Sequence, residues 1–165
     1  MDILPIKPLF AVLALIAATA FTGLPAGAQT LERPGWAVHQ TKHGFSDLNT
    51  RLDQAIAAES MALVTQASAS AGASSRGITI AGNRVVGVYR NDFAVRMLEA
   101  SLAAGIEAPI RFYVTENADG TATLSYKTPT SVFSPYFAEG GAALKALAAE
   151  LDAIFGKIAA NASGG

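Results

Sequence analysis

The side chains able to do chemistry are few. His39 and His43 are the two imidazoles of the chain, four residues apart. On a helix that spacing would aim both at one metal ion, but these residues fall at the end of a predicted strand, where the rise sets them about 13 Å apart. No nearby carboxylate completes a site, and there is no cysteine to supply a thiolate. Two partly exposed histidines with no metal are therefore expected. Serines are plentiful, but the Gly-x-Ser-x-Gly turn of an activated nucleophile is absent, as are the P-loop and Gly-x-Gly-x-x-Gly patterns that cradle phosphates. No cofactor is expected.

One grouping remains. Residues 109–126 (PIRFYVTENADGTATLSY) read as a β-hairpin, with Ile110, Phe112, Val114, Ala122, Leu124 and Tyr126 on one side. Asp119-Gly120 supplies the tight connection, because glycine accepts the positive φ such a turn requires. The other side carries Arg111, Tyr113 and Thr115 opposite Thr123, Ser125 and Lys127. Arg90 on a neighbouring strand and Tyr136 beyond the hairpin could approach it. Arginine with tyrosine recognises carboxylates and aromatic groups, and both types are enriched at protein interfaces. The candidate face is thus Arg90, Arg111, Tyr113, Ser125, Lys127 and Tyr136. A solvated face, a dimer or partner surface and a small-ligand pocket all stay open.

The elements that position this face follow in order. Residues 36–42 predict a strand with Trp36 and Val38 on one face and His39, Thr41 and His43 on the other. Ser46 as N-cap opens a helix buried through Leu48, Leu52, Ala55 and Ile56. Residues 61–66 predict a second strand. The Ala/Ser/Gly-rich stretch 67–77 reads equally as a short helix or a loop, and residues 78–82 as a short extended piece. Residues 84–90 are apolar on both faces, which predicts a central strand, with Gly87 marking a bulge or close packing. Asn91 caps a helix whose buried side is Phe93, Met97, Leu98 and Leu102, ended by Gly105. After the hairpin, Pro129 and Pro135 mark an irregular crossing. Leu144, Leu147, Leu151, Ile154, Phe155 and Ile158 then form a helical stripe that begins after Gly140-Gly141. The expected fold is α+β: one mostly antiparallel or mixed sheet of about four to five strands with helices packed on one face, ordered β-α-β-(short α or loop)-β-α-β-β-α.

Length and composition set the outer bounds. The chain has 165 residues, a net charge of −1 and 15% charged residues. That accommodates a single domain and offers no broad basic surface to nucleic acid. At the N-terminus Lys7 precedes an apolar run over residues 8–21, then a Gly/Pro break and Ala26-Gly27-Ala28. This pattern predicts a secretory signal over residues 1–28, cut between Ala28 and Gln29, and a periplasmic or secreted product with no membrane attachment after cleavage. A leader over 29–35, a single domain over 36–160 and a frayed tail over 161–165 complete the expected layout.

Three segments, TKHGFSDLNTRLDQAI, RVVGVYRNDFAVRMLEA and APIRFYVTENADGTATLSYKTP, resemble the DUF302 family of domains of unknown function. The resemblance runs from about Trp36 to Ile158 and is most specific at Pro109-x-Arg111, joined through Asp119-Gly120 to Ser125-Tyr126. It implies a compact α+β domain, often dimeric and frequently exported by bacteria, and brings no established reaction with it. Many members carry Gly-Asn-Pro where this chain has Arg90-Asn91-Asp92, and an acidic residue where this chain has its Ala/Ser-rich stretch. Two functions are weighed. The first is a non-enzymatic module that binds a small anionic ligand or a periplasmic protein and acts as a homodimer. The second is a small enzyme on an anionic substrate, with Arg111 as anchor and His39 or His43 as acid–base.

Overall fold

A computed structural model of the chain describes residues 31–164. The signal segment expected over residues 1–28, its expected cleavage point and Gly165 lie outside the described residues. The strands are β1 (Trp36–Gly44), β2 (Ala62–Ala67), β3 (Asn83–Tyr89), β4 (Ile110–Glu116) and β5 (Thr121–Lys127). The helices are α1 (Phe45–Ala58), α2 (Ala69–Ser74), α3 (Asn91–Ala100), α4 (Pro129–Phe133) and α5 (Phe137–Ser163), with 3-10 turns at Ala103–Glu107 and Ser134–Tyr136. The strands form one antiparallel sheet in the order β1-β5-β4-β3-β2. This is the α+β fold expected, with the Ala/Ser-rich stretch resolved as the short helix α2, capped by the Ser68 hydroxyl accepting from the Ala71 N–H at 3.1 Å. No described helix is long and apolar enough to cross a membrane.

Period-two alternation gives the sheet one apolar face. Ile110, Phe112 and Val114 of β4 join Val86, Val88, Leu124 and Tyr126 on that face, all buried. The α1 residues Leu48, Leu52, Ala55 and Ile56 pack there as their spacing requires, together with Leu144, Leu147, Leu151, Phe155 and Ile158 of α5. Aromatic rings knit the two layers. Phe112 stacks on Phe155 with centroids 4.6 Å apart, and Tyr126 meets both at 5.1 and 5.5 Å. Gly141, at φ 57°, interrupts α5, so its long regular part begins after the Gly140-Gly141 pair.

Strand β3 is an interior strand, as expected, paired with the middle strand β4 on one side and the edge strand β2 on the other. Gly87 does face close neighbours: a Cβ there would sit 2.2 Å from Thr65 Oγ1 and 2.8 Å from the Pro109 ring, beside a register shift in β2. Several expectations are corrected. The N-caps of α1 and α3 are Gly44 and Arg90 rather than Ser46 and Asn91. Residues 78–82 form no strand. Helix α3 ends at Ala100, where Ser101 turns extended, so Leu98 and Leu102 do not reach the core and are 45% and 79% exposed. The tail is not frayed, because α5 continues to Ser163 with Ala159 and Ala162 fully buried.

The burial pattern makes a direct stability prediction. Phe155→Ala should cost about 3–5 kcal/mol through lost burial and a residual cavity. Leu102→Ala, at a position that periodicity alone would have called core, should stay within about 0.5 kcal/mol. Urea denaturation of the two variants checks both values.

Candidate functional site

The face of the sheet turned away from the main helical layer carries ordered rows of side chains. Trp36 pairs with Lys127 across β1 and β5, and Gly87 pairs with Arg111 across β3 and β4. Because Phe112 pairs with Tyr126, the next step along that ladder sets Arg111 across from Lys127. The first row is therefore Trp36, Lys127, Arg111 and Gly87. The next is Val38, Ser125, Tyr113 and Val85. Adjacent strands are about 4.8 Å apart, so Trp36 and Arg111 stand about 10 Å from one another.

A cleft of about 470 Å³ opens at this end of the sheet. Arg111, Lys127, Trp36 and Tyr113 line it from the sheet, with Val85 alongside. The opposite wall comes from Pro34, from Ser131 and Val132 of α4, from Pro135, and from Glu107 at the end of its 3-10 turn. Helix α4 is held in place at its N-terminal end. The Thr128 hydroxyl accepts from the Ser131 N–H at 3.2 Å, and the Asp152 carboxylate of α5 accepts from the Thr130 N–H at 2.9 Å. The Tyr136 hydroxyl donates to Glu107 Oε1 at 2.8 Å and fixes that carboxylate, and the same bond raises the Tyr136 phenol above its ordinary value.

The electrostatics of the cleft set it apart. Arg51, Arg84, Arg90 and Arg96 each pair with a carboxylate, at 3.1, 2.9, 2.8 and 2.7 Å. Arg33, Arg76 and Arg111 have no side-chain partner among the described residues, and of these Arg111 alone lines the cleft. Lys127 beside it is equally unpaired. Like charges across a strand pair repel, and among the described residues no carboxylate pairs with either of these two.

The structure thus brings Arg111, Tyr113 and Lys127 together and separates the other candidates. Ser125 lies in the second row but is fully buried beneath its neighbours, with its hydroxyl 3.5 Å from the Tyr113 carbonyl. Arg90 sits on the helix side, 4.3 Å above the Phe93 ring. There it donates to both oxygens of Asp92, at 2.8 and 3.2 Å, and its guanidinium holds that carboxyl below its ordinary range. Tyr136 acts on the cleft only through Glu107. Trp36 and Glu107 were not in the predicted set, since the pairing of β1 with β5 is not written in either strand. The one legible clue was that Trp36 and Val38 share a face opposite His39.

The histidines are elsewhere. His39 projects from the helix side and stacks on Tyr126, with centroids 6.1 Å apart. It lies two strands and three register steps from Arg111, about 14 Å by strand geometry, and on the opposite face. His43 Nδ1 is 2.8 Å from Asp47 Oδ2 at the far end of β1. The acid–base pairing of a histidine with Arg111 is not assembled.

Comparison with known proteins places this geometry in a family. Residues 37–162 match the model for the domain of unknown function DUF302. The chain belongs to the DUF302 family. The crystal structure of an uncharacterized conserved DUF302 protein from Bacillus stearothermophilus shares the fold, with a TM-score of 0.69 and 18% identity, covering 79% of this chain and 99% of that one. No curated protein matches. In this DUF302 domain, then, the fold has a known relative, and any role for the cleft rests on its own residues.

Burial of His39 gives a pH dependence. Burial lowers its pKa below the ordinary 6.5, so the folded state resists a proton that the unfolded chain accepts. Stability should therefore fall as pH drops from about 6.5 towards the lower folded value, and this contribution should level off below it. In thermal melts, His39→Gln should flatten the dependence in that window while the carboxylate-driven loss at lower pH persists.

Proposed function

We propose that this DUF302 domain is an exported, non-enzymatic binding module that holds a small organic anion on Arg111 and Lys127, between Trp36 and Tyr113. One observation carries the reading: two adjacent cations without counter-ions among the described residues line a cleft of ligand size, about 470 Å³, beside aromatic walls. A bound carboxylate would relieve their repulsion through charge-assisted hydrogen bonds of about 1.5–3 kcal/mol each, or tenfold or more in affinity. The histidines' distance from Arg111 argues against the enzymatic alternative. Trp36 is the chain's one tryptophan and lines the cleft, so its fluorescence reports occupancy directly. Titration with 3-phenylpropanoate should change that fluorescence with a millimolar or tighter dissociation constant. Arg111→Ala should weaken binding by about tenfold or more. An unchanged signal at saturating anion would defeat the reading.

A second observation supports action as a homodimer. Val95, Leu98, Leu102 and Ile106 run along α3 and the following 3-10 turn at exposures of 47, 45, 79 and 81%. Clustered exposed apolar side chains of this kind mark association surfaces, and a two-fold contact of these residues with themselves would cover them on both copies. Native mass spectrometry of protein recovered from the periplasmic or secreted fraction reads both export and assembly. It should show a chain beginning at Gln29, at twice its monomer mass, and Leu102→Asp should leave the monomer alone. A chain retaining residues 1–28 would refute export, and a wild-type monomer would refute the dimer.

A further inference from the structure

The cleft is not uniformly positive. Glu107 lines it with Arg111 and Lys127, with one carboxylate oxygen occupied by the Tyr136 hydroxyl at 2.8 Å and the other without a partner among the described residues. Neither cation forms an ion pair with it, although both signs of charge share one cavity. Opposite charges in a common cleft attract, and long side chains normally close such a gap. Here Tyr136 ties Glu107 to its own wall, while Arg111 and Lys127 stand on strands whose direction is set by the sheet. The protein therefore keeps a negative and a positive pole apart across an aromatic-walled space.

Resting on the anion-binding reading above, we propose that the ligand is dipolar: an amino-carboxylate with a flat apolar body, its carboxylate on Arg111 and Lys127 and its ammonium on the free oxygen of Glu107. Such a ligand satisfies all three charges of the cleft at once. A simple anion satisfies two and leaves the carboxylate of Glu107 facing the ligand body. The volume of about 470 Å³ accommodates a single aromatic amino acid or a short peptide, whose charges differ in separation but not in kind.

The test compares four probes through Trp36 fluorescence. L-phenylalanine and glycyl-L-phenylalanine carry both charges, 3-phenylpropanoate only the negative one, and 2-phenylethylamine only the positive one. At least one dipolar probe should bind about tenfold or more tighter than either singly charged probe, the value of one charge-assisted contact. Glu107→Gln should reduce the dipolar probe to the level of 3-phenylpropanoate and leave 3-phenylpropanoate itself unchanged or tighter. Arg111→Ala combined with Lys127→Ala should weaken every carboxylate-bearing probe, with circular dichroism confirming the fold of each variant. If 3-phenylpropanoate binds as well as both dipolar probes, the dipolar ligand is refuted and the anion site stands. If no probe changes the fluorescence, both fail.

Discussion

The stack of Phe112 on Phe155 is the contact on which the rest of the molecule depends. Phe112 belongs to β4, the middle strand, and Phe155 to α5, the longest helix, and both are fully buried. Offset aromatic pairs add about 0.5–1.5 kcal/mol beyond the area they bury. The larger effect is geometric. With β4 fixed against α5, the side of the sheet bearing Ile110, Phe112 and Val114 must face the helices. A one-residue slip would reverse every strand residue, so the same contact commits Arg111 and Tyr113 to the other side.

The cleft then follows from how the sheet ends. The chain leaves β5 at Lys127 and turns at once into α4, which Thr128 caps from before and Asp152 holds from α5. This roof lies over the place where β1 begins and β4 starts its run. Tyr136, just past the roof, reaches back to Glu107. Four other arginines find carboxylate partners, whereas the carboxylate that lines this cleft, Glu107, is held by Tyr136 and pairs with neither cation.

Much of the fold was legible because local rules and tertiary packing agree. The α1 spacing of Leu48, Leu52, Ala55 and Ile56, the Asp119-Gly120 turn and the α5 stripe are each decided within a few residues. The failures came where they are not. Leu98 and Leu102 continue an apolar period, but the backbone of Ser101 leaves the helix before that period can be used. Ala159 and Ala162 are too small to register as a stripe, yet small residues let helices approach closely and be fully buried. In the site, Arg111, Tyr113 and Lys127 were readable because one hairpin carries them. Trp36 and Glu107 come from segments far off in sequence, joined by a register that no local pattern encodes. Arg90 went astray because its neighbour Asp92 and the Phe93 ring draw it to the helix side.

The pairing of β1 with β5 has a kinetic consequence. It joins the first strand of the domain to the last and closes residues 36–127 into one loop, and such non-local contacts form slowly because the loop entropy is lost before the pairing stabilises anything. The row of Trp36, Lys127 and Arg111 exists only once that loop has closed. Partly folded chains that already hold the hairpin and α5 together would present the two cations and Tyr113 without Trp36. The cleft is therefore complete only in the finished domain, and its emission signal reports the last long-range closure of the chain.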